Sequence, residues 1–304
     1  INKIYIVACG TAYHAGLVGK YAMEKFLKIP VIADIASEFR YNDNLIDDKT
    51  LVIIVSQSGE TADTLAALRE AKRKGARILS ITNVVGSSVA RESDDLFYTW
   101  AGPEIAVAST KAYTTQLVAF YILALYFGRL KGTLEKVVYE EILEELKNIS
   151  NKVNKAIGNG AVEAKNIAEK IKTKHSMFYI GRSLDYYTAM EGALKLKEIS
   201  YIHTEALAAG ELKHGTIALI EEDTPVLAIA TQKNLYEKMV SNIKELKARK
   251  AYVIGITREK NKDLESICDK VIYLEESFDI FMPLLTVILP QLIAYYTAIA
   301  RGND

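Results

Sequence analysis

The chain states one structural plan twice. Ile4-Tyr5-Ile6-Val7-Ala8 reads as a strand ending at Cys9-Gly10-Thr11, and a helical pattern follows from about Tyr13 to Phe26. Val31 to Ile35 is a second strand, and Leu51 to Val55 is a third. The third is apolar throughout, as expected of a parallel strand buried on both faces. Thr61 to Lys74 is helical, Ala76 to Ile81 is a fourth strand, and Leu96 to Trp100 fits a fifth. The second half repeats this order. Met177 to Ile180 ends at Gly181-Arg182-Ser183, a helix runs from about Asp185 to Ile199, Val226 to Ala230 ends at Thr231-Gln232, and Ala251 to Ile256 matches Ala76 to Ile81. Gly10 and Ser56 are 46 residues apart, and Gly181 and Thr231 are 50 apart. Four elements in one order at near-equal spacing argue for a repeat over chance alternation.

Alternating β and α units of this size predict an α/β fold. The expected architecture is two tandem doubly wound parallel sheets, flavodoxin-like or Rossmann-like, over residues 1–150 and 151–304. The join falls between the helices near Leu134 to Val162, with Gly158-Asn159-Gly160 as the best breaker. A length of 304 residues is ample for two cores. Lys plus Arg equals 38 and Asp plus Glu equals 38, so the basic excess of a nucleic-acid binder is missing. Cys9 and Cys268 form no disulfide or metal pattern, and free thiols fit a cytoplasmic setting. The apolar run Leu117 to Phe127 is too short to span a bilayer and reads as a buried helix. No signal peptide is visible, and a strand that begins at once after Ile1 predicts a piece of a longer protein.

The strongest local signal is Ser56-Gln57-Ser58-Gly59-Glu60-Thr61, set between a strand and a helix. Three hydroxyls can donate to phosphate oxygens, Gly59 lets backbone approach, and the first turn of a helix favours an anion. A capping box with Ser58 as N-cap is the bland alternative, but capping needs one hydroxyl and the loop has three. The lysine of a nucleotide-binding P-loop is missing. Thr231-Gln232 is a degenerate counterpart, so only the first repeat is expected to hold phosphate. Thr82-Asn83 and Gly86-Ser87-Ser88 are either a helix cap or a plain turn.

Cys9-Gly10-Thr11, Ser37-Glu38-Phe39-Arg40-Tyr41 and Ser56–Thr61 resemble the SIS (sugar isomerase) domain. With Glu104 to Gln116 (EIAVASTKAYTTQ), Glu191 to Glu198 (EGALKLKE) and Glu211-Leu212-Lys213-His214-Gly215, the chain resembles the isomerase half of the glutamine–fructose-6-phosphate aminotransferase family. The resemblance implies conversion of fructose 6-phosphate and ammonia to glucosamine 6-phosphate, with a glutaminase domain N-terminal to this stretch and no cofactor or metal. Ser56, Gln57, Ser58 and Thr61 would hold phosphate, and Thr11, Ala12, Val107, Ser109 and Lys195 would line the sugar. Many family members carry Ser where Ala12 stands, so one donor is lost. The family's Schiff-base lysine lies in a tail beyond Arg301-Gly302-Asn303-Asp304.

Glu191, Lys195 and Glu198 fall on one helix face at i, i+4 and i+7. That spacing alone fits a solvated salt-bridged face. The resemblance makes Glu198 the base that shuttles a proton between adjacent carbons; Glu191 is either a site residue or, the favoured reading, a structural partner of Lys195. It makes His214 the ring-opening group, reaching into a neighbouring subunit's site and implying a homodimer. His203 has weaker support, His14 and His175 have none, and Glu211 either orients His214 or Lys213 or is a plain loop carboxylate. A glutaminase-free sugar-phosphate isomerase or deglycase and a non-catalytic sugar-phosphate sensor remain alternatives. A sensor needs the phosphate loop but not Glu198 with His214.

Overall fold

The structure is a computed structural model and describes residues 1–258 and 262–303. Asp304 therefore lies outside the described residues. Two compact units divide the chain, Ile1–Glu141 and Ile142–Asp304.

The first unit runs β1 (Lys3–Ala8), α1 (Gly10–Leu27), β2 (Val31–Ile35), α2 (Ala36–Phe39), β3 (Thr50–Ser56), α3 (Ala62–Arg73), β4 (Arg77–Thr82), α4 (Ser88–Glu92), β5 (Asp95–Tyr98) and α5 (Lys111–Lys131). Its strands are all parallel, in the order β2-β1-β3-β4-β5. Every residue of β3 is buried, which is why that strand can occupy the middle of the sheet. Tyr5, Val7, Val52, Ile54 and Ile78 pack one face against Phe39, Ala67, Leu68, Ala71 and Val89, from α2, α3 and α4. Ile6 points the other way, towards Gly16 of α1. Helices thus cover both faces. The fifth strand stops at Tyr98, short of the expected Trp100, which has left-handed backbone (φ 52°) and is exposed.

The boundary between the units falls within α6 (Lys136–Ile171), a single helix of 36 residues. The expected break at Gly158-Asn159-Gly160 does not occur. A side chain at Gly160 would come within 2.3 Å of Leu289, so this glycine is kept by close packing and the helix runs through it.

The second unit continues with β6 (Ser176–Gly181), α7 (Leu184–Ser200), β7 (His203–Ala208), β8 (Pro225–Ile229), α8 (Tyr236–Ala248), β9 (Tyr252–Thr257), α9 (Lys262–Ile267), β10 (Lys270–Tyr273), α10 (Met282–Thr286) and α11 (Ile288–Arg301). Its parallel sheet has the order β7-β6-β8-β9-β10, the same 2-1-3-4-5 pattern as the first. Phe178, Ile180, Val226, Ala228 and Val253 face Met239, Val240, Ile243 and Leu246 of α8 and Leu264 of α9. Tyr179 faces Gly192 of α7, which in turn abuts Pro290 of α11. The stretch Asp279–Arg301 is long and apolar enough to cross a membrane by length and composition (mean hydropathy 1.6), but 78% of that window is buried inside the protein.

The strands β7 and β10, absent from the sequence reading, are the two edges of this sheet. An edge strand pairs on one side only and needs no continuous apolar run. β10 has four residues, and β7 opens with exposed His203 and Glu205 around buried Thr204.

Candidate functional site

In a 2-1-3-4-5 sheet the first and third strands feed helices on opposite faces, and the crevice between their carboxyl ends is the natural ligand site. In the first unit a cavity of about 220 Å³ opens there, lined by Cys9, Thr11, Ala12, Val55, Ser56, Gln57, Ser58, Thr61, Thr64, Ser109 and Gln116.

The loop after β3 is rigidly built. Gly59 adopts φ +66°, and a side chain there would sit 2.1 Å from Ser87 Oγ, so only glycine fits. The Gly59 N–H donates to Ser56 Oγ (3.0 Å), and the Glu60 N–H donates to Ser58 Oγ (3.2 Å). The neighbouring loop after β4 fastens it from below. The Asn83 N–H donates to Gln57 O (3.1 Å), the Val89 N–H to Gly59 O (3.0 Å), and the Ser88 N–H to a Glu60 carboxylate oxygen (2.7 Å). That contact with the Ser88 N–H holds the Glu60 carboxyl below its usual range. Of the two readings of this stretch, the helix cap holds for Ser87, whose hydroxyl accepts from the Ala90 N–H of α4.

Ser58 is not the N-cap of α3. Thr61 holds that position, and its side chain makes no capping bond. The first-turn N–H groups of a helix have no intrahelical acceptors, so a ligand oxyanion in the cavity would satisfy them. Hydroxyls on Ser56, Ser58, Thr61 and Thr11 border the same space.

Two lining residues escaped the sequence reading. Gln116 is 2% exposed, and its Oε1 has no hydrogen-bond partner among the described residues. A buried amide oxygen left unpaired in a cavity wall is costly unless a ligand donates to it. Thr64 is also buried and lines the same cavity, with Oγ1 4.0 Å from Cys9 Sγ. Glu104 acts at one remove. Its carboxylate accepts from the Ala112 N–H (3.0 Å) and the Ser109 hydroxyl (3.5 Å), tying the loop before α5 to the helix start. Ser109 borders the cavity, whereas Val107 is 92% exposed on that loop and is not among the lining residues.

In the second unit α7 brings Glu191, Lys195 and Glu198 together. Lys195 is 1% exposed; its Nζ is 2.6 Å from Glu198 and 3.5 Å from Glu191, which is itself fully buried. The solvated-face alternative therefore fails for Lys195 and Glu191. A buried ammonium is tolerable only with such partners, and removing one member of a buried pair typically costs about 3–5 kcal/mol. Glu198 is partly exposed and offers a carboxylate to a ligand. His214 is exposed on the 3₁₀ turn Ala209–His214, beside Lys213, which pairs with Glu245 at 2.9 Å. Among the described residues no hydrogen bond or ion pair joins His214 to Glu198. No group of three or more His, Cys, Asp or Glu among the described residues could hold a metal ion.

A parallel α/β unit with a hydroxyl-lined cavity at its switch point, its topology repeated along the chain, defines the class. The SIS domain model matches residues 1–126 and 170–301, and the chain belongs to the SIS domain family. It is 61% identical over its whole length to the glutamine–fructose-6-phosphate aminotransferase (isomerizing) of Clostridium tetani, of which it covers 50%. The chain thus spans about half the length of the curated relatives it matches. Its fold is similar to the solved C-terminal domain of glucosamine-fructose-6-phosphate aminotransferase from Francisella tularensis, with TM-score 0.95, 44% identity, and coverage of 100% of this chain and 86% of that one. A putative phosphosugar isomerase from Silicibacter pomeroyi is also similar, with TM-score 0.85, 27% identity and coverage of 100% and 88%.

Proposed function

We propose that this chain is the isomerase half of a glucosamine-6-phosphate synthase, converting fructose 6-phosphate and ammonia to glucosamine 6-phosphate. In the whole enzyme the ammonia comes from glutamine, through a glutaminase domain N-terminal to this stretch. The single observation that carries the reading is the open cavity at the ends of β1 and β3, with its hydroxyls and the uncapped start of α3. The 61% identity to an enzyme named for this reaction supports the substrate assignment.

The phosphate sits on Ser56, Gln57, Ser58 and Thr61, where the α3 dipole favours a dianion. Thr11, Ala12 and Ser109 flank the sugar. Ring opening frees the C2 ketone, ammonia adds to it, and water leaves to give a C2 imine. Isomerisation removes a proton from C1; the electron pair forms the C1–C2 double bond while the imine π pair moves to nitrogen, which takes up a proton to give an enamine. A proton is then delivered to C2 while the C1 hydroxyl loses its proton, leaving an aldehyde at C1 and an amine at C2. Glu198 is the carboxylate that carries the proton between the two carbons. Lys195, 2.6 Å away, neutralises charge on Glu198 and on the substrate oxygens. His214 serves ring opening from a neighbouring subunit, a role its exposure allows, so the working form is a homodimer.

Fructose 6-phosphate or glucosamine 6-phosphate is expected to raise the melting temperature, and Ser58→Ala to shrink that shift. Stabilisation by neither ligand refutes the binding site. Glu198→Gln should retain binding while losing exchange of the C1 and C2 protons with solvent, and retained exchange removes Glu198 from its role.

A further inference from the structure

The second unit has a crevice at the same switch point, between the ends of β6 and β8, and it is filled by one of the protein's own side chains. Asp185, in the first turn of α7, is 2% exposed. One of its carboxylate oxygens accepts from the Thr231 N–H (2.7 Å) and the Gln232 N–H (3.3 Å), and the other accepts from the Thr231 hydroxyl. Thr231 and Gln232 follow β8 as Ser56 and Gln57 close β3. Counted from the first residue of each helix, Asp185 stands in α7 where Thr11 stands in α1. The Gln232 side chain is turned away, donating to Asp279 O (3.2 Å) and Thr231 Oγ1 (3.3 Å).

The backbone is shaped for this contact. A side chain at Gly181 would fall 2.4 Å from the Asp185 carbonyl carbon, so only glycine lets α7 fold back this tightly. Ser183, between them, is held at φ +55°, ψ −126°, a sparsely populated region for a residue with a side chain.

We infer that the second unit retains an oxyanion cradle at the end of β8 and that the Asp185 carboxylate is its built-in anion, standing where the first unit takes a ligand's phosphate. The two backbone N–H groups and one hydroxyl that grip it are the donor types an external oxyanion uses. The carboxylate also fastens the first turn of the helix that carries Glu191, Lys195 and Glu198, so the second unit exchanges a ligand site for a fixed α7.

The test is chemical rescue. Asp185→Gly removes the anion and leaves its space, and sodium formate restores a carboxylate. In sodium chloride the variant is expected to melt several degrees below the wild type. Formate at equal ionic strength should recover at least half of that loss, with a shift at least threefold larger than in the wild type, whose open first-unit cavity sets the background. The amide resonances of Thr231 and Gln232 should move with formate in the variant and stay put in the wild type. A folded variant with no formate response at those two amides overturns the inference. Should Asp185→Gly not fold, Asp185→Leu has the same branched shape but offers the three donors no acceptor. It should lower the melting temperature by several degrees, and an unchanged value overturns the inference. These readouts lie in the second unit, so they succeed or fail apart from sugar-phosphate binding in the first.

Discussion

The two units share a strand order and differ at one crevice. In the first, the ends of β1 and β3 leave a cavity of about 220 Å³ edged with hydroxyls. In the second, the ends of β6 and β8 are bridged by Asp185, whose carboxylate is bound by Thr231 and Gln232. The same topology thus leaves an open cavity where the first helical turn carries Thr11, and a closed joint where it carries Asp185.

The difference can be broken from either side. Thr11→Asp places in the first unit the type of carboxylate that closes the second. A like charge at about 4 Å from the phosphate costs roughly 4 kcal/mol at an effective dielectric of 20. Affinity for fructose 6-phosphate should fall by about two to three orders of magnitude, measured by calorimetric titration, while Thr11→Ser stays within about tenfold of wild type.

The second contrast is in pH dependence. Burial pushes the Asp185 carboxyl up to about 6, against the opposing pull of its bonds from Thr231 and Gln232. A carboxyl whose folded value exceeds its unfolded one adds stability that is fully present below the unfolded value of 3.8 and is lost as pH rises through about 6. A shift of about two pH units corresponds to about 3 kcal/mol. Denaturant titrations of wild type against Asp185→Asn should show that component between pH 4 and 7 in the wild type alone. Parallel curves would mean that Asp185 contributes no such dependence.

A smaller effect concerns the turn that sets Asp185 in place. Ser183→Gly relieves a positive φ at a residue with a side chain and should stabilise by about 1 kcal/mol. That is roughly 2–4 °C in melting temperature for a unit of this size. No gain would show that the side chain is not strained there.

Much of this was legible in the sequence, for identifiable reasons. β3 announces itself because a strand buried on both faces is apolar throughout. The Ser56–Thr61 loop stands out because three hydroxyls fall within six residues, between a strand and a helix. Glu191, Lys195 and Glu198 fall on one face by helical spacing alone, but only the structure shows that Lys195 is buried. The Asp185 joint was hidden because its partners lie at Thr231 and Gln232, 46 and 47 positions away in the chain, and an aspartate in a helix's first turn reads as an ordinary favourable charge. Gln116 was hidden among the apolar neighbours of α5, where nothing in the pattern says which way its amide turns. Gly160 misled because a glycine kept for close packing looks the same as a glycine that ends a helix.

The most direct measurement is the stoichiometry of hexose-phosphate binding, by calorimetric titration of the wild type and Ser56→Ala with fructose 6-phosphate. One site per chain, weakened at least tenfold in Ser56→Ala, is the expected result. Two sites per chain, or one site indifferent to Ser56→Ala, would contradict an open first unit and a closed second.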